Sequence, residues 1–158
     1  MNGESLTEIV ETVVGEVLKD SQSRLTLSRA KKLIGLVMDK AKGMGVNAVV
    51  AVSDGGANPI AVECMDDSFI ASFDIALNKA YTGVAMQMPT KELKLLAQPG
   101  GSLYGIQFTN NGKIVVFGGG VPLFSNGKIV GGLGVSGGTE AQDTELADYG
   151  QQVFKDCI

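Results

Sequence analysis

Any chemistry in this chain must proceed without imidazole. Its 158 residues include no His and no Trp, which excludes Ser-His-Asp and Cys-His nucleophilic arrangements, an imidazole zinc site and a histidine-ligated haem. A donor to an iron-type centre would have to be a Met, Cys, Tyr, Lys or hydroxyl group, and Met65, Met86, Met88, Cys64 and Tyr81 are the candidates. Each has an ordinary structural reading too, since Met fills cores, an isolated Cys is a small buried hydrophobe and a helix-borne Tyr packs. Asp54, Glu63, Asp66 and Asp67 cluster in sequence, but their spacing matches no calcium loop and solvated turn carboxylates explain them. Lys79 could neutralise a ligand carboxylate or form an ordinary salt bridge. No residues present themselves as a general acid and base pair, so binding is expected ahead of catalysis, with an enzyme acting on a small metabolite, or a structural or chaperone-like oligomeric component without a ligand, as the alternatives.

The run Gly118, Gly119, Gly120 follows a β-branched stretch, and there are 22 glycines in all. Three flexible residues in succession cost ordering entropy, so something must approach that backbone closely. A ligand using exposed N–H groups is one reading; a tight chain crossing or subunit contact is the other. The same choice applies to Gly131, Gly132 and Gly134. Cys64 and Cys157 lack CxxC spacing, which argues against a metal knuckle or redox pair. With Lys+Arg 13 against Asp+Glu 17 and no basic run, the chain lacks the footprint that nucleic-acid binding requires. No apolar run approaches the roughly 20 residues of a membrane span. The N-terminus has no basic region leading into a hydrophobic core, so a cytoplasmic protein with neither nucleic-acid nor membrane partners is expected.

These residues need elements to position them. Leu6, Ile9, Val10, Val13, Val14, Val17 and Leu18 recur at helical spacing, with Ser5 and Glu8 as a capping box and Glu4, Glu8, Glu11 and Lys19 on the opposite face. Asp20-Ser21-Gln22-Ser23 reads as a linker. Residues 1–22 therefore form an amphipathic N-terminal helix and linker ahead of a domain at 23–158, the helix either packing on that domain or docking to another protein. Thr26 caps a second helix bearing Ala30, Leu33, Ile34, Val37, Met38 and Ala41. Residues 48–52 and 60–64 form a β-hairpin around a loop of turn formers. Ser68 is expected to cap a helix carrying Ile70, Phe73, Leu77, Tyr81 and Val84, and Thr90 a shorter one after Pro89. Two Asn-Gly pairs, Asn111-Gly112 and Asn126-Gly127, punctuate expected strands at 106–108, 114–117, 121–124 and 129–135. Thr139 and Gln142 box the start of a terminal helix. The order predicts an α+β fold with an antiparallel sheet, not a parallel one.

Several separated motifs in order resemble one family. Val50 to Asp54 with Gly55-Gly56, the stretch Ala61 to Asp67 and the helix Ala71 to Ala80 are followed by Met88-Pro89-Thr90, Gly118-Gly119-Gly120-Val121-Pro122-Leu123 and Gly131 to Gly138 with Gln142-Asp143. Across about residues 24–154 the chain is similar to the GlcG/HbpS-like family, whose domain also forms the C-terminal half of PduO. Pro99-Gly100 with Leu103-Tyr104-Gly105-Ile106 resembles members encoded with bacterial microcompartments, and residues 5–18 resemble short encapsulation peptides.

The resemblance implies a profilin-like fold with a five-stranded antiparallel sheet flanked by helices, and homo-oligomers, octameric in some members. It also implies a small ligand or cofactor, with haem or a corrinoid as the class, bound without His ligation. Family members often carry His where Asn58 stands here. The expected binding residues are Asn58, Met65, Lys79, Met88, Thr90, Gly118, Gly119, Gly120 and Pro122, with no catalytic or metal residues. Residues 5–18 would meet microcompartment shell or cargo proteins.

Overall fold

The computed structural model describes residues 5–157, except for the side chains of residues 16–23. The first helix, α1 (Leu6–Ser23), opens on the expected capping box: Glu8 N–H donates to Ser5 Oγ (3.3 Å) and Ser5 N–H to Glu8 Oε2 (2.8 Å). It continues through Asp20-Ser21-Gln22-Ser23, so the expected linker is the helix's last turn. No Gly or Pro stands there, and the small propensity cost of Asp, Ser and Gln is tolerable at a helix end. Arg24, extended, forms the exit. Leu6, Ile9, Val10, Val13 and Val14 are all exposed; Glu4 and the side chains of Val17, Leu18 and Lys19 lie outside the described residues.

Thr26 caps α2 (Leu27–Gly43), which buries Ala30, Leu33, Ile34, Val37 and Ala41. The strands β1 (Val49–Asp54), β2 (Pro59–Cys64), β3 (Gly120–Ser125) and β4 (Lys128–Ser136) form one antiparallel sheet in the order β2-β1-β4-β3. One face carries Val50, Val52, Leu133 and Val135 into the main core with α2 and with α5 (Glu140–Val153). The other carries Val49 and Ala51 against Ala76 and Ala80 of α3 (Ser72–Ala85). Strand alternation thus feeds two layers of helix from one sheet.

The class is α+β as expected, but the sheet has four strands rather than five. Ile106–Phe108 is a 3₁₀ turn, and residues 114–117 join no strand. Val115 N–H donates to Thr82 Oγ1 (3.0 Å), which ties that segment to α3. The Asn111-Gly112 pair makes no hairpin, because Asn110, Asn111 and Gly112 lie in succession at φ 53°, 57° and 73° within a second short turn. Asn126-Gly127 does join β3 to β4, with φ 49° and 75°, the left-handed pair that a two-residue hairpin requires.

Two helix starts also differ from expectation. Asp67 is left-handed (φ 60°) and Ser68 N–H closes a turn onto the Met65 carbonyl, so α3 begins at Ser72 behind Ala71 rather than at Ser68. Ile70 is consequently off the helix and 97% exposed. The buried face of α3 is its small one, Ser72, Ala76, Lys79, Ala80 and Gly83, while Phe73 faces outward. In α4 (Thr90–Leu96) the cap position belongs to Pro89, and Thr90 turns its hydroxyl to Gly120.

Candidate functional site

Lys79 is a charge on an otherwise small and apolar helix face, and the fold buries it completely: its side chain is 0% exposed and that of Asp143, on α5, is 5%. Lys79 Nζ donates to Asp143 Oδ2 (2.8 Å) and to the Val135 carbonyl of β4 (2.8 Å), and sits 4.8 Å from the centroid of the Phe117 ring. A buried ammonium needs such partners, since an isolated one costs several kcal/mol. Burial nevertheless pushes Lys79 below the usual lysine value, against the opposing pull of Asp143 and, more weakly, Glu140. The second oxygen of Asp143 accepts from Gly138 N–H (2.9 Å).

The glycine run exists to admit this group. A Cβ on Gly119, at φ 112°, would stand 2.6 Å from Lys79 Nζ, and one on Gly120 would stand 2.6 Å from the Lys79 carbonyl oxygen. A Cβ on Gly118 would strike Thr144 Oγ1. The amides are engaged as well: Gly118 N–H donates to Glu140 Oε1 (2.9 Å) and Gly120 N–H to Thr90 Oγ1 (2.9 Å). Helix and side-chain contacts therefore make the close approach inferred from the glycines.

Above this pair opens a cleft of about 370 Å³ between the starts of α3 and α5. Phe69, Ile75 and Phe117 wall it, while Ser72, Ser136, Gly137, Gly138, Glu140 and Asp143 supply its polar part. Glu140 is held below the usual carboxylate range, first by its hydrogen bond from Lys94 and then by Gly118 N–H. Both cleft acids are thus ion-paired. A larger hollow of about 560 Å³ lies at the far end of β1, beside the Asp54 loop. There Asp54 Oδ1 accepts from Gly56 N–H (2.8 Å) and Asn58 N–H (2.9 Å), so the loop's carboxylate closes its own turn.

Of the sequence-predicted residues, the fold brings Lys79, Thr90, Gly118, Gly119 and Gly120 together. Asn58 lies at the opposite end of β1, its side-chain amide on Asp54. Met65 packs on the main core and its Sδ accepts from Ala48 N–H (3.3 Å). Met88 is half-buried just before α4, and buried Pro122 accepts from Gln151 through its carbonyl (2.6 Å). Asp143, Glu140, Phe117, Ser72 and Ser136 escaped the sequence reading. The signal available for Asp143 was Lys79 itself, since a cation between Ala76, Ala80 and Gly83 on one helix face demands a buried acid.

The family described as haem degrading protein HbpS-like matches residues 25–152. An uncharacterized 15.0 kDa protein in the dhaT-dhaS intergenic region of Citrobacter freundii is 46% identical over 132 residues, 84% of this chain and 93% of that protein. The corrinoid adenosyltransferase PduO of Salmonella typhimurium is 38% identical over 116 residues, which make up 73% of this chain but only 34% of PduO. Among solved structures, the PduOC:heme complex superposes with a TM-score of 0.79 at 35% identity, covering 82% of this chain and 94% of that one.

Proposed function

Since the chain belongs to the HbpS-like family, we propose that it is a binding module for a flat tetrapyrrole of the haem class, held in the cleft between the starts of α3 and α5. The observation that carries this reading is the cleft itself, where three apolar side chains wall a space whose charged groups are all internally paired. Such a site suits an apolar ring face with few polar anchors. The crystallisation of PduOC with haem supports the ligand class. The lining fits the ring and not the ligation of its metal, because no Met, Cys or Tyr is among the cleft residues and the chain has no His. In this reading Lys79, Thr90 and the three glycines shape the cleft without touching the ligand, and Asn58, Met65, Met88 and Pro122 have no part in it.

If the ring face carries the affinity, haemin and metal-free protoporphyrin IX saturate the protein with dissociation constants within about threefold of each other. Optical and fluorescence titration reads this directly, with cobinamide run in parallel to decide the bulkier corrinoid. Absence of saturable binding by any of the three refutes the reading.

We read the chain also as a homo-oligomer and an accessory cargo protein of a bacterial microcompartment in the cytoplasm. Exposed Ile70, Phe73, Tyr104 and Phe108 support a contact between copies. The exposed stripe of α1, with Leu6 at 78%, supports docking to shell or cargo proteins. Deleting residues 1–23 is expected to move the melting temperature by no more than about 2 °C while abolishing co-sedimentation with microcompartment shells. A large loss of melting temperature assigns the helix to its own domain instead.

A further inference from the structure

Resting on the tetrapyrrole reading, we propose that the cleft takes its ligand by a carboxylate, and that the Ser72–Ser136 hydroxyl pair receives it. Both serines line the cleft, and they are only 3% and 4% exposed. Ser136 Oγ donates to Ser72 Oγ at 3.1 Å. Two hydroxyls carry two protons, and their mutual bond uses one of them. Among the described residues no acceptor meets the other. The pair therefore has one proton to offer to an acceptor in the cleft, water when it is empty and a ligand oxygen when it is filled.

The surroundings set the charge of that acceptor. Asp143 and Glu140 are each neutralised by a lysine, and Lys79 has its own partners in Asp143, the Val135 carbonyl and the Phe117 ring. The side-chain groups around the cleft therefore sum to no net charge. To this neutral setting α3, 14 residues long, presents its N-terminal end, where Ala71 supplies no capping oxygen, whereas the start of α5 is already closed by the Thr139 capping box and its own Glu140 and Asp143. Helix N-termini favour negative charge. A hydroxyl donor beside the uncapped start of α3 suits a carboxylate oxygen, with Phe117 and Phe69 covering the apolar body attached to it. The ligand class is accordingly a conjugated apolar ring that carries a carboxylate at its edge, and Lys79 is not the group that neutralises it.

Protoporphyrin IX and its dimethyl ester separate the two layers of this reading. Fluorescence titration of the full chain is expected to show the free acid binding about tenfold tighter than the ester. In the Ser72→Ala/Ser136→Ala double variant that preference falls to within about twofold. Equal binding of acid and ester by the wild-type protein overturns the carboxylate assignment and leaves the tetrapyrrole reading standing. An acid preference that survives in the double variant overturns the assignment of the carboxylate to Ser72 and Ser136. Failure of both porphyrins to bind overturns both. The wild-type comparison decides even if the double variant does not fold.

Discussion

Asp143→Ala is expected to lose about 3–5 kcal/mol of folding free energy, the cost of leaving a buried ammonium without its counter-ion. The Lys79 side chain has no exposure at all, and without Asp143 it keeps one carbonyl and one ring face. The loss also depends on pH in a determined direction. Lys79 titrates below its unfolded value of 10.5 in the folded protein, so between the two values the unfolded chain holds the extra proton and stability rises with pH. Removing the carboxylate lowers the folded value further and widens that window downward. The deficit of the variant against wild type should therefore shrink as pH is raised through the interval between the folded Lys79 value of the variant and that of the wild type, read by urea unfolding at successive pH values. The double replacement Lys79→Met/Asp143→Leu removes both charges and should come closer to wild type than Asp143→Ala does, because apolar substitutes for a buried pair carry no desolvation cost. A deficit under about 1 kcal/mol at neutral pH, or one that grows as pH is raised, contradicts this account.

This pair also marks the limit of what the sequence discloses. Lys79 among Ala76, Ala80 and Gly83 can be read as a buried cation, because those positions share one helix face. Its partner lies 64 residues away, and only the packing of α3 and α5 on opposite faces of β4 identifies it. The glycine run carried the right physics, a close approach to backbone, but left open what approaches. The two Asn-Gly pairs show the same divide. Both have flanking apolar residues, yet only Asn126-Gly127 lies between segments that pair with each other, whereas the segment after Asn111-Gly112 gives its Val115 amide to Thr82 on α3. That competing bond costs the sheet its fifth strand and has no local signature. The sequence of α3 offers two faces, the spaced large residues Phe73, Leu77, Tyr81 and Val84 and the small residues Ala76, Ala80, Gly83 and Ala85 that suggest close packing. The strands below it, however, are glycine at Gly120, Gly132 and Gly134, and a flat strip favours the helix's small face.

Gly134→Ala tests that strip, and it should cost about 3 kcal/mol or more, at the upper end of overpacking effects. Gly134 pairs with Gly120 on one side and Ala51 on the other, in the middle of the sheet and directly beneath α3. A Cβ there would run into the Ala76 carbonyl oxygen and stand 2.6 Å from Ala80 N. Both are backbone atoms of a helix, so no side-chain rotation relieves the clash and α3 must lift as a body. Gly83 on the helix makes the reciprocal demand, since its Cβ would stand 2.8 Å from the Val121 carbonyl carbon. Lifting α3 would move Ser72 and Lys79 together, so porphyrin binding should fall along with stability even in molecules that remain folded. Gly35→Ala is the control: it lies on an exposed position of α2 with nothing within 4 Å of a new Cβ, and it should stabilise the chain by up to about 1 kcal/mol through helix propensity. If Gly134→Ala unfolds at the same urea concentration as wild type, α3 does not rest on the sheet backbone, and the cleft that its first turn walls has some other support.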